Sequence, residues 1–152
     1  MTEQARSLCA VCFSQTEVFP DLYGNSLDSY GPFSPYVHGK VLVVEAGTGE
    51  AIGSTMADLP EDLAARDPEE VGTLVCAGEV EELQYGTYTD KQPGYVLIRN
   101  FCLYDIPVDA VIFSARIHGT PPSPVKTVQG AHRGTDPAYN PLMDILESLP
   151  VK

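Results

Sequence analysis

The sequence predicts an α+β fold: an antiparallel or mixed sheet of about five or six strands, with a short C-terminal helix packed on one face. Three observations carry that expectation. Thirteen glycines and 13 prolines punctuate the 152 residues, which leaves room for short strands and turns but not for long helices. Residues 109–118 alternate, with Val111, Phe113, Ala115 and Ile117 on one face and Ile112, Ser114, Arg116 and His118 on the other. The chain then closes on Leu142, Ile145, Leu146 and Leu149, a stripe at helical spacing.

Taken in order, residues 1–38 read as an irregular N-terminal segment. Within it, residues 1–18 are compatible with helix or strand, because Leu8–Phe13 is apolar on every side. Residues 19–35 combine Gly, Pro, Asn and Ser with Tyr23, Tyr30 and Phe33, the composition of an ordered surface segment pinned by aromatics. Residues 39–118 are the expected β core. Gly39–Ala46 contains four consecutive apolar residues, three of them β-branched, ahead of a Gly47-Thr48-Gly49 turn, and Glu50–Thr55 is its expected hairpin partner. Two single-turn helix starts follow. Pro60 stands at a first helical position, and Asp67 with Glu70 forms a capping box.

Val71–Ala77 reads as a strand, continued by Glu79–Leu83 past a bulge or bend at Gly78. Tyr85–Gly94 holds turn chemistry. Tyr95–Ile106 and Asp109–His118 make a hairpin whose first arm, apolar on both faces, suits a central strand. Residues 119–139 form a Pro/Gly-rich surface excursion, and residues 140–150 the closing helix, with Asn140 as N-cap, Pro141 at its first position and Pro150 as its stop. The whole is expected to be a single domain, 1–152.

Charge narrows the function. Nine basic residues against 21 acidic ones give a net charge of −12, without the Lys/Arg cluster that phosphate backbones or anionic lipids require. Nucleic acid and membrane are therefore not expected partners. No apolar run reaches the ~20 residues of a bilayer span, and the N-terminal residues carry no basic stretch ahead of an apolar one. A cytoplasmic location is the expectation, and with it four cysteines present as thiols.

Few motifs carry chemistry. Cys9-x-x-Cys12 has the spacing of a zinc-gripping pair; Cys76 and Cys102 would complete a tetrahedral site, although they lie 26 residues apart on predicted strands, and His38, His118 and His132 are substitutes without signature spacing. A redox pair would want a strand-to-helix junction in a βαβ unit, which the chain lacks, and the competing reading makes Cys76 and Cys102 small buried apolar residues. His118 ends an alternating strand, and Asp90 or Asp105 is the carboxylate that would orient it as a general base. The opposing reading is a surface histidine on a solvated face. The pairs Glu69-Glu70 and Glu81-Glu82 point to opposite faces of a strand and do not converge. Tyrosines 23, 30, 36, 85, 88, 95 and 104 suit either a recognition surface or a β core. No nucleophile elbow, phosphate-binding loop, dinucleotide fingerprint or calcium loop is present.

Leu59-Pro60-x-x-Leu63, Pro68-Glu69-Glu70-Val71-Gly72-Thr73, Tyr88-Thr89-Asp90, Gly119-x-Pro121-Pro122 and Ile145-Leu146-Glu147-Ser148-Leu149-Pro150 occur in that order. Over residues 39–150 the chain resembles a loosely defined group of uncharacterised bacterial α+β proteins. The resemblance implies a shared fold and carries no activity, cofactor or site residue with it. The expected function is a non-catalytic binding or accessory module, acting on a protein partner or on itself through an exposed sheet face or edge. The alternative is a small hydrolase-like enzyme using His118 with a nearby carboxylate, Asp90 first, or a thiol. A second alternative is a zinc-stabilised module held through Cys9 and Cys12; otherwise no cofactor is expected.

Overall fold

The computed structural model of the chain describes residues 1–23, 35–122 and 132–152. Its elements run α1 (Thr2–Ser14), β1 (Asp21–Tyr23), β2 (Lys40–Glu45), α2 (Gly53–Asp58), β3 (Val71–Ala77), β4 (Glu81–Thr87), β5 (Pro93–Asp105), β6 (Ala110–His118), β7 (His132–Arg133) and α3 (Asn140–Ser148). The α+β class holds, with a mixed sheet ordered β1-β6-β5-β3-β2 and the short strands β4 and β7 both paired to β5. β5 is the spine. Four strands pair with it, which accounts for its apolar residues on both faces.

Two apolar layers sandwich the sheet. One gathers Phe101, Leu103, Phe113, Ala115 and Ile117 against Leu142, Ile145, Leu146 and Leu149 of α3, so the predicted helical stripe is buried as a whole. The other gathers Leu74, Cys76, Cys102 and Tyr104 against Ala5, Cys9 and Cys12 of α1. The segment left open between helix and strand is therefore a helix, and it covers the second face.

β3 spans the residues predicted for it, and the strand does continue beyond Gly78. Ala77 pairs with Phe101 and Glu81 with Ile98, so the three residues 78–80 on this edge oppose the two residues 99–100 on β5, a bulge. The continuation runs further than Leu83. β4 extends to Thr87, and the expected turn shrinks to Tyr88–Gln92, closed by Tyr88 N donating to Gln92 O at 2.9 Å.

Several expectations are corrected. Glu50–Thr55 is not a hairpin strand: pairing ends after a single Val44–Ala51 bridge, and α2 begins at Gly53. Thr55 then buries its hydroxyl by donating to Ala138 O at 2.8 Å. Pro60 does start a single turn, which ends because Leu63–Ala65 leaves to bond along the outer edge of β2. Asp67 and Glu70 do form the capping box, on a single 3₁₀ turn. There the Glu70 carboxyl is held below its ordinary value by the Arg66 and Asp67 backbone N–H groups. α3 begins at Asn140 with Tyr139, not Asn140, in the N-cap position. Tyr30 and Phe33 lie outside the described residues, as do residues 123–131 of the expected excursion. The flanks of that excursion are pinned: Gly119 N donates to Leu97 O at 2.8 Å and Thr135 N to Thr120 O at 3.1 Å. A Cβ at Gly134 would stand 2.0 Å from Thr120 O, so only glycine permits the close approach.

The cysteines are the largest correction. They are not thiols: Cys9 is bonded to Cys76 and Cys12 to Cys102. Antiparallel pairing sets Cys76 directly opposite Cys102, and one helical turn sets Cys9 above Cys12. Distance in sequence was no obstacle. No helix among the described residues is long and apolar enough to cross a membrane.

Candidate functional site: an exposed edge strand and its groove

β4 is exposed along its whole length. Its inner edge pairs with β5, and among the described residues no strand pairs with its outer edge, because β2 accompanies β3 only as far as Ala77. The strand thus presents outward-facing backbone N–H and C=O groups to any extended chain that meets it. Leu83 and Tyr85 project from it, 54% and 65% exposed, and Val80 precedes it, also exposed.

Tyr85 is the extra residue of a second bulge, since Gln84 pairs with Tyr95 and Gly86 with Gly94. Bulges re-aim side chains. Here Tyr85 stands between two adjoining hollows. One, of about 490 Å³, lies under Tyr85, Tyr88 and Pro122 beside Gly94. The other, of about 380 Å³, is bounded by Leu83, Tyr85, Val96, His118, Pro121 and Pro141. Together they form an apolar groove of aromatic and proline side chains running beside the open edge. Two ion pairs tie the start of β4 to its neighbours: Arg116 to Glu81 at 2.6 Å, and Arg133 to Glu82. Glu82 raises the Arg133 pKa through that contact.

His118 lies in the groove, but not with the expected carboxylate. Its Nε2 is 2.9 Å from Asp21 Oδ1 on β1, which runs parallel to β6 and sets Tyr23 beside His118. Asp90 belongs instead to the β4–β5 turn, where its Oδ1 accepts from Gln92 N at 3.0 Å. Cys102, bonded to Cys12, offers no thiol to His118. Cys9 and Cys12 lie on the inner face of α1, fully buried in disulfides with Cys76 and Cys102. As oxidised, the described residues include no group of three or more His, Cys, Asp and Glu side chains arranged to hold a metal.

A second polar cluster escaped the sequence reading. Asp105, 1% exposed, accepts from Tyr36 Oη at 2.7 Å and from Val108 N at 3.2 Å, and lies 3.1 Å from His38 Nδ1. Burial pushes its carboxyl up, but the hydrogen bonds from Tyr36, His38 and Val108 outweigh this and hold it below the ordinary range. The same contact raises the Tyr36 phenol. Thr73 fixes His38 from both sides, accepting from its N–H at 2.6 Å and donating to its C=O at 2.9 Å. The cluster ties the chain around Val37 to β3 and β5.

No protein-family model, curated protein or solved structure compared with the chain matches it.

Proposed function

We propose that the protein is a non-catalytic binding module that takes an extended, basic peptide segment of a partner protein along β4, seating apolar side chains in the groove beside it. The observation that supports this most is the conjunction of an unpaired strand edge with a proline- and aromatic-lined groove, joined at Tyr85. Strand addition supplies main-chain hydrogen bonds, and the groove supplies side-chain selection. The sign of the partner follows from charge. Arg116 and Arg133 hold Glu81 and Glu82, so the attraction comes from Glu79 ahead of the edge and from the net charge of −12, which draws a basic segment and repels a second copy. The same charges and bulges guard the edge against indiscriminate pairing.

Selection from a displayed library of random linear peptides tests this. Lys- or Arg-bearing peptides with alternating apolar residues are expected to enrich on the native chain and to be lost on Leu83→Glu and Tyr85→Ala. Equal enrichment on all three proteins would overturn the reading.

One observation supports a second reading, a small hydrolase: His118 and Asp21 are in contact at the edge of an apolar hollow. Turnover of an ester and peptide panel, abolished by His118→Ala, is what that reading requires. Absence of turnover by the native chain would remove it.

A further inference from the structure

We propose that, once both disulfides are reduced, Cys9, Cys12, Cys76 and Cys102 form a tetrathiolate site for one zinc ion. This goes beyond the peptide-binding reading and does not depend on it. The four residues occupy the corners of one small quadrilateral. Cys9 and Cys12 are one turn apart on α1, a spacing of roughly 5–6 Å between Cβ atoms. Cys76 and Cys102 are directly opposed on neighbouring strands, roughly 4.5–5.5 Å between Cβ atoms. The remaining sides are the Cα separations of 5.6 Å for Cys9–Cys76 and 6.1 Å for Cys12–Cys102. Zinc–sulfur bonds of about 2.3 Å need sulfurs about 3.8 Å apart at the corners of a tetrahedron. All four side chains already point into the space between helix and sheet, so rotation about their Cα–Cβ bonds is the adjustment required.

The surroundings suit a closed structural centre. Each cysteine is fully buried, and Val44, Leu74 and Tyr104 wall off the space. Thr16 Oγ1 donates to Cys12 O at 2.9 Å and lies 3.7 Å from Cys102 Sγ, so it packs beside the site. Tethering is also needed. Apart from its two cysteines, α1 fully buries only Ala5, with Leu8 and Phe13 partly buried against the same layer, so in the reduced chain the helix is held to the sheet by apolar packing alone. Four thiolates around Zn²⁺ carry a net double negative charge, which burial opposes and coordination must outweigh.

The chemistry balances with a phosphine reductant. Each disulfide, with one trialkylphosphine and one water, gives two thiols and one phosphine oxide. Zinc then displaces four thiol protons as four Zn–S bonds form.

The test uses the full chain, reduced by a water-soluble phosphine under argon and titrated with Co²⁺ as the spectroscopic probe. One Co²⁺ per chain is expected, with the intense visible bands of a tetrahedral thiolate site, and displacement by one equivalent of Zn²⁺. The unreduced chain is expected to take up none. The Cys76→Ser/Cys102→Ser variant, which keeps only the helical pair, should bind at least tenfold more weakly. Zn²⁺ should also raise the Tm of the reduced native chain, which covers the case in which reduction loosens the fold. A reduced chain that neither binds Co²⁺ nor gains stability from Zn²⁺ overturns the proposal. So does equal binding by the native chain and the double variant.

Discussion

β5 divides into two halves that solve the same problem in opposite ways. Its C-terminal half, Asn100–Asp105, lies between β3 and β6 and under α1, with two disulfides fastening the helix to the sheet. Its N-terminal half, Pro93–Ile98, is flanked by β4, a strand exposed throughout, with two hollows beside it and no strand beyond it among the described residues. One half is sealed by covalent bonds and apolar contact. The other keeps main-chain hydrogen-bonding groups and apolar side chains in reach of solvent. The contrast within one strand separates what holds this molecule together from what it has to offer a partner.

The largest expected effect comes from unsealing the closed half. Replacing Cys12 and Cys102 together by serine removes the bond that closes the loop from α1 to β5, and removal of a native disulfide costs about 2–5 kcal/mol. Thermal melts of the variant should show a drop well above that of any surface substitution on β4. A Tm within a degree of the native value would mean that α1 is held by packing alone.

Next in size is glycine at the β2–β3 junction. A Cβ at Gly72 would meet His38 O at 2.1 Å, so Gly72→Ala must push the Tyr36–His38 segment off the sheet. A loss of roughly 1–3 kcal/mol is expected in urea melts. Retention of full stability would show that the segment yields without cost.

The Asp105 cluster gives a pH signature. Its folded pKa is depressed, so the stability it contributes is present above the unfolded value, about 3.9, and is lost as pH falls through the folded value. Asp105→Asn should be less stable than the native chain at pH 7, with the gap closing below about pH 4. A gap that stays constant down to pH 2 would contradict the ionised form of the cluster.

The smallest effect on stability, and the largest on binding, is expected at the open half. Tyr85→Ala removes an exposed side chain, so its Tm should match the native value within the ~0.5 kcal/mol typical of surface changes. Peptide affinity, measured by fluorescence anisotropy, should fall at least tenfold.

The closed half was the more legible in sequence. Residues 71–77 and the β5–β6 hairpin announce themselves because burial imposes apolar runs and clean alternation, and the α3 stripe because one face of it is wholly buried. β4 is muted for the opposite reason. Exposed along its length, it carries no alternation, and Glu81–Leu83 shows only as an extension of its neighbour. α1 buries three residues of 13, too few to impose a period on Leu8–Phe13. The partners of Cys9, Cys12, His118 and Asp105 depend on strand register across separations of 67 residues or more, which no local pattern encodes. Asp21 and Tyr36 carried no signal beyond their side-chain type.

Amide hydrogen exchange on the chain, free and saturated with a selected basic peptide, bears most directly on the open half. Bound peptide should slow exchange of the outward-facing amides of Glu81–Thr87, with little change under α1 or α3. Protection confined to another surface, with β4 exchanging as freely as before, would contradict the assignment of this edge as the docking site.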